Sequence, residues 1–321
     1  MFTRIRVEDL LAASFGLALA GIAGVGAVLR GLHLDESTYW ELTFILAPLA
    51  VLVFLASLRY AIAGGAPVLN ETLREIGGTF RDWLPFLFFL MFYGAFHAQV
   101  WLVLNPEDRD AALLAWDLRL FGQTPAVFFD RFVHKPITDV LSVAYLSHLI
   151  LPPLLAFAWY VRNRRIFREF LLAVLLSGVF GAIGYLLVPA VGPAIAFPHL
   201  FQHELNGIFY GPINDILDKV RAPRDVFPSL HVGISTIVLF YVARFSRRWL
   251  LVFLPFILGN WLSTLYLRCH YLVDVLAGWA VAVLVIVLAK QLIRTEERLR
   301  PPPSESVPGP PADAKASTAP Q

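Results

Sequence analysis

The sequence predicts an all-α protein, a polytopic membrane bundle of about eight transmembrane helices. Three observations predict it. Hydrophobic residues make up 58% of the 321 residues and charged residues only 16%, where a soluble domain carries about 25% charged residues. The apolar residues gather into runs close to the ~20 residues that a helix needs to cross the hydrocarbon core. The short arginine- and lysine-bearing segments fall on one side when the spans are counted, as the positive-inside rule requires, while longer loops of mixed charge fall on the other. A water-soluble enzyme, a disordered chain and a nucleic-acid-binding protein are all disfavoured. The formal net charge of +2 is too small to call for a polyanionic partner.

In order along the chain, the predicted spans are Leu10–Leu29, Leu42–Ala63, Trp83–Leu104, Val140–Val161, Phe170–Pro189, Leu230–Phe245, Trp249–Tyr266 and Tyr271–Ile293. The sixth and seventh are short. Arg4 and Arg6 precede the first run, which has no small-residue cleavage site after it, so it is read as a retained span rather than a signal peptide. Arg74 and Arg81 follow the second span, Arg162, Arg164, Arg165 and Arg168 the fourth, Arg244, Arg247 and Arg248 the sixth, and Lys290, Arg294, Arg298 and Arg300 the eighth. Eight spans with both termini cytoplasmic satisfy this pattern, as would six spans with two buried segments that do not cross. The expected location is a bacterial inner membrane or comparable plasma membrane.

The opposite face holds three loops, Gly31–Glu41, Asn105–Asp139 and Gly192–Ser229. Within the second, the semi-apolar piece Leu118–Phe132 is expected to lie along the interface. The tail from Pro301 is rich in Pro, Ala and Ser and has too little apolar content to fold. The single cysteine, Cys269, excludes an intramolecular disulfide and a cysteine-only metal cluster.

Two segments at the outer ends of spans carry chemistry. In Phe227-Pro228-Ser229-Leu230-His231, Pro and Ser are helix-start residues. Ser229 and His231 then sit at a helix N-terminus, where free N–H groups and the helix dipole favour a phosphate. In Arg268-Cys269-His270-Tyr271-Leu272-Val273-Asp274, His270 and Asp274 are four apart and share a helix face. A carboxylate so placed holds an imidazole in one tautomer, which prepares it as nucleophile or base. Arg268 offers a fork suited to phosphate oxygens. An intramembrane histidine also serves simply as a hydrogen bonder between helices. Ionisable groups at the hydrocarbon edge are costly, however, and point to function. Tyr145 and His148, three apart, are candidates to line a headgroup cavity. His199 and His203 are read as surface residues. No metal site and no cofactor are expected.

The pair Pro228-Ser229-Leu230-His231 and His270-Tyr271-Leu272-Val273-Asp274 resembles the type 2 phosphatidic acid phosphatase superfamily, over roughly Ala115–Leu292. Trp116-Asp117-Leu118-Arg119-Leu120-Phe121-Gly122-Gln123-Thr124-Pro125 and Gly184-Tyr185-Leu186-Leu187-Val188-Pro189-Ala190-Val191-Gly192-Pro193 are similar to its inositol phosphorylceramide synthase-like, inositolphosphotransferase branch. The resemblance implies that residues 115–295 form the catalytic membrane domain, behind N-terminal helices in 1–114 and ahead of a disordered tail in 296–321. It implies His270 as the nucleophile that becomes phosphohistidine, Asp274 as its orienting partner, His231 as general acid and Ser229 as phosphate ligand.

The sequence departs from the family at three positions of positive charge. The first motif's Lys, six residues, Arg-Pro is replaced by Tyr185, six residues, Gly192-Pro193, and the third motif's Ser-Arg by Ser263-Thr264. Tyr185 at the Lys position is a further candidate for the headgroup lining. A phosphoryl group in transit needs cations or oriented donors. Arg268 comes first, with Arg221, Arg224 and Lys219 behind it. The implied substrate is a membrane lipid phosphate, with water or a polyol or lipid alcohol as acceptor. Hydrolysis and transfer remain open, as do a lipid transporter or flippase and a non-catalytic lipid-phosphate binder. Oligomeric state is not encoded legibly.

Overall fold

The structure is a computed structural model and describes residues 5–30, 75, 77–87, 105, 107–220 and 224–299. Within these residues it is an all-α membrane helix bundle without strands. Helix α1 (Val7–Arg30) contains the first predicted span, and residues 77–87 are helical. The second predicted span, most of the third and the tail from Pro301 lie outside the described residues.

The semi-apolar loop piece forms two short helices. Helix α2 (Asp110–Phe121) ends on Gly122, whose φ of 75° supplies the left-handed C-cap. Helix α3 (Pro125–Asp130) starts on a proline, which costs no hydrogen bond at that position. Trp116, Leu118, Leu120, Phe121, Phe128 and Phe132 are exposed there, an apolar surface suited to an interfacial position.

Among the described residues, four helices are long and apolar enough to cross a membrane: α4 (Lys135–Arg162), α5 (Arg164–Leu187), α9 (Arg247–Tyr266) and α10 (Leu272–Leu299). Between them come the short α6 (Pro193–Ala196), the amphipathic α7 (Tyr210–Val220) and α8 (Leu230–Phe245). Asn163 separates α4 from α5, its side chain accepting from Arg165 N and Ile166 N at 3.1 Å each. This satisfies two of the orphan donors at the start of α5.

Helix α8 is the hub and packs against α4, α5, α9 and α10, while α5 also meets α1. Phe170, Leu172, Ile237, Tyr241, Ile257 and Val285 build the common core. In lipid the hydrophobic effect does not drive helices together, so close packing and small residues must. Gly259 on α9 illustrates this, since a Cβ there would stand 2.8 Å from the Ala144 Cβ of α4. With 16 residues α8 is the shortest helix of the bundle core, rising ~24 Å at 1.5 Å per residue.

At one end of the bundle several arginines are paired with carboxylates. Arg6 pairs with Asp82 at 2.7 Å, Arg81 with Asp9, Arg165 with Glu297 at 2.8 Å, and Arg168 with both Glu8 (2.6 Å) and Glu296 (2.8 Å). These pairs tie α1, the 77–87 helix, the start of α5 and the end of α10 into one polar layer. The candidate site lies at the opposite end.

Candidate active site

The site is assembled from the start of α8 and the turn between α9 and α10. Ser229 is the N-cap of α8. Its hydroxyl accepts from Val232 N at 3.4 Å, and its own N–H donates to the Asp274 carbonyl at 3.0 Å. The chain can come this close because glycines face it. A Cβ on Gly278 would lie 2.4 Å from the Ser229 carbonyl oxygen, and one on Gly184 2.2 Å from Pro228 Cδ. Two residues into this start stands His231.

The α9–α10 turn is shaped by Arg268, whose φ of 60° is left-handed, and by the Thr264 carbonyl. That carbonyl accepts from Cys269 N (3.0 Å) and His270 N (3.1 Å). His270 is thereby fixed at 2% exposure. Its Nδ1 faces Asp274 Oδ2 at 3.5 Å, and its Nε2 lies 3.2 Å from His231 Nδ1. Asp274 Oδ2 also accepts from Tyr271 N at 2.8 Å. His231 stacks on the Tyr145 ring at 4.5 Å, with the His148 ring 4.0 Å from it and 5.5 Å from Tyr145. His148 is oriented through its Nδ1, 2.8 Å from the Tyr145 carbonyl oxygen.

These groups open into a cavity of about 580 Å³ whose wall includes Tyr145, His148, Arg224, His231, Arg268 and His270. Of the residues singled out in the sequence, it gathers those six, with Asp274 directly behind His270. Ser229 is fully buried and outside the wall, its hydroxyl engaged in the cap rather than turned to the cavity. Tyr185 is buried and also outside the wall. Arg221 lies outside the described residues, as does the Lys219 side chain.

Both arginines of the wall are held by carboxylates. Arg268 Nη2 meets Asp130 Oδ1 at 2.6 Å and donates to the His203 carbonyl, and its guanidinium lies 4.3 Å over the Phe201 ring. Burial lowers the Arg268 pKa, and the charge of Asp130 pulls it back. For Asp130, burial acts to raise the pKa. Hydrogen bonds from His203 and Gln202 N, with the charge of Arg268, outweigh it and leave the carboxyl below its usual range. Arg224 Nε meets Asp108 Oδ1 at 2.8 Å.

The three vacated cation positions have structural explanations. Gly192 adopts φ 90°, and a Cβ there would stand 2.6 Å from the Cys269 carbonyl oxygen, so no side chain fits. Thr264 is fully buried and its hydroxyl donates to the Trp261 carbonyl at 2.8 Å. Tyr185 is buried and forms no part of the cavity wall.

Sequence reasoning missed two carboxylates. Asp110 accepts from Val191 N, Gly192 N and the Tyr271 hydroxyl, each at 2.9 Å. Asp117 accepts from Thr124 Oγ1 (2.9 Å) and from Leu272 N and Val273 N (both 3.1 Å). Burial raises the Asp117 pKa, with those three donors opposing it. Tyr271 is raised as well, by burial and then by Asp110, so its hydroxyl stays a proton donor. The available signal was two aspartates seven apart in a helix whose one other charged residue is Arg119.

The model of the PAP2 superfamily matches residues 111–288, over half of the chain. The chain belongs to the PAP2 superfamily. It is a lipid phosphate phosphatase or phosphotransferase, an integral membrane enzyme of lipid metabolism. It is similar to phosphoinositol dihydroceramide synthase of Bacteroides thetaiotaomicron, 29% identical over 227 residues that cover 63% of this chain and 73% of that protein. No solved structure matches it. The matched region of this superfamily member runs from the start of α2 to late in α10 and contains every residue of the cavity wall named above.

Proposed function

We propose that the protein transfers a phosphoryl group from a membrane lipid through a phosphohistidine on His270. The observation that carries this is the line Asp274–His270–His231 opening into one cavity: a carboxylate behind one ring nitrogen, the second imidazole 3.2 Å from the other. Nε2 of His270 attacks phosphorus, and the bond from phosphorus to the leaving oxygen breaks as His231 delivers a proton to that oxygen. In the second half an acceptor hydroxyl gives its proton to His231 and attacks phosphorus, and the P–N bond breaks. Asp274 stabilises the imidazolium character that develops on His270. Arg268 and Arg224 supply the positive field for the oxygens.

The name of the bacterial relative favours transfer over hydrolysis: with an inositol phospholipid as donor, the phosphoryl group carried on His270 keeps its inositol ester, diacylglycerol leaves with the proton from His231, and a sphingoid-type lipid alcohol is the acceptor. A polyol acceptor is the alternative within the same mechanism. The arginine-rich end of the bundle is cytoplasmic on the positive-inside rule, so the cavity opens on the outer face of a bacterial inner membrane.

Purified protein is incubated with phosphatidic acid, prenyl phosphate and diphosphate, or an inositol phospholipid with ceramide or diacylglycerol, and free phosphate and new phospholipids are followed together. A new phospholipid with little free phosphate is expected, and none from His270→Ala. Substantial turnover by folded His270→Ala overturns the assignment.

A further inference from the structure

We propose that Asp110 and Asp117 are positioning residues: helix α2 is a brace that sets the register of His270 and Asp274 from outside the cavity. The inference rests on the reading of His270 as nucleophile.

The start of α10 poses a local problem. The first N–H groups of any helix lack intrahelical acceptors, and here they follow directly on His270. The chain's own Asp274 takes the Tyr271 N–H. The next two, Leu272 and Val273, go to the two oxygens of Asp117, 155 and 156 residues earlier in the chain. The residue between His270 and these donors, Tyr271, is pinned at its other end by its hydroxyl on Asp110. Thus both backbone and side chain immediately after His270 are tied to α2.

Asp110 reaches the site by a second route. It takes the N–H groups of Val191 and Gly192. Gly192 packs against the Cys269 carbonyl, and the Arg268 carbonyl accepts from Ala194 N at 3.0 Å. The loop 190–194 therefore presses on the turn that carries His270, and Asp110 holds that loop in place.

Positions seven apart lie on nearly the same helix face, ~10 Å apart along the axis. One rigid element therefore sets both anchor points. Asp110 is 4% and Asp117 0% exposed, and neither lines the cavity. Their hydrogen bonds act on the reaction through the backbone they hold, and their charges also bear on Asp274. A shift of ~1 Å in a reacting group costs on the order of 100-fold in rate.

The test compares wild type with Asp117→Asn, Asp110→Asn, Tyr271→Phe and Thr124→Val in detergent, measuring kcat and KM for the lipid donor beside melting temperature and elution profile. Each asparagine variant is expected to lose ~10- to ~100-fold in kcat with KM changed less than about twofold, in protein that elutes and melts close to wild type. Tyr271→Phe and Thr124→Val, which each remove one hydroxyl and no charge, should lose severalfold in kcat. The Asp110→Asn/Tyr271→Phe double variant should be no slower than Asp110→Asn alone, because the two share one bond. Wild-type kcat in folded Asp117→Asn and Asp110→Asn overturns the proposal, as does a loss that only tracks the fraction unfolded. If the asparagine variants do not fold, unaltered kcat in Tyr271→Phe and Thr124→Val overturns it. Activity surviving in His270→Ala instead overturns the nucleophile assignment, so the two failures are distinct.

Discussion

Replacing Gly278 by alanine tests how finely the two histidines are spaced. An ideal Cβ at this position lies 2.4 Å from the Ser229 carbonyl oxygen and 3.3 Å from Val232 Cβ. An ordinary contact begins near 3.4 Å, so the first turn of α8 must retreat from α10 by about 1 Å. Alanine gains ~1 kcal/mol in helix propensity, while overpacking costs ~1–3 kcal/mol. The net loss of stability is then at most ~2 kcal/mol. Activity is the sharper readout. His231 moves with Ser229, and its 3.2 Å approach to His270 opens to ~4 Å, beyond hydrogen-bond reach. A fall in kcat of about 100-fold is expected, in protein whose melting temperature drops by only a few degrees. Lipid-product formation under saturating donor, beside a thermal melt, separates the two effects. Turnover within about threefold of wild type would show that the spacing between α8 and α10 does not control the reaction.

Other perturbations act elsewhere. Arg168→Ala strips the buried Glu8 and the nearby Glu296 of their shared cation and should cost ~3–5 kcal/mol in stability, read as a lowered melting temperature with kcat of the folded fraction unchanged. The Asp130 carboxyl is held below its ordinary range, so its stabilising contribution is complete above the unfolded value near pH ~4 and fades as pH falls through the lower folded value. Melting curves between neutral pH and pH ~3 should therefore show an acid-sensitive component that Asp130→Asn lacks. Arg268→Ala should depress turnover of the lipid donor more than Arg268→Lys does, because lysine keeps the charge and loses the fork; wild-type turnover in both variants would remove Arg268 from the reaction.

Hydropathy and charge located the helices well where a span is a continuous apolar run. The sixth predicted span and α8 have the same bounds, Leu230–Phe245. The eighth falls short of α10 by six residues at its C-terminal end. Residues 294–298 are polar and carry no apolar signal, and their helix is held by Glu296 and Glu297 against Arg168 and Arg165. The short helices α2 and α3 were visible only as a semi-apolar stretch.

Within the site, the grouping of His231, His270 and Asp274 was legible because helix periodicity and motif resemblance both point to it. Ser229 shows where that reading was incomplete. A serine at a helix start can bind a ligand or cap the helix, and here the cap takes the hydroxyl. Asp110 and Asp117 were silent because most of their partners are backbone N–H groups far along the chain. Every residue but proline carries one, so no pattern of residue types records the pairing. The reason for one missing cation was equally hidden, since the steric veto at Gly192 comes from the Cys269 carbonyl.

The brevity of α8 has a consequence for where the reaction takes place. A rise of ~24 Å falls ~6 Å short of a hydrocarbon core ~30 Å thick. With the Arg244, Arg247 and Arg248 end at headgroup level, His231 starts that far beneath the opposite surface. A lipid reaches it only by sinking out of the plane of its neighbours or by the leaflet dimpling toward the protein. Each ångström of mismatch carries a fraction of a kcal/mol. The host bilayer thus becomes part of the barrier, and short-chain, thin membranes should turn over substrate faster than thick, sterol-stiffened ones.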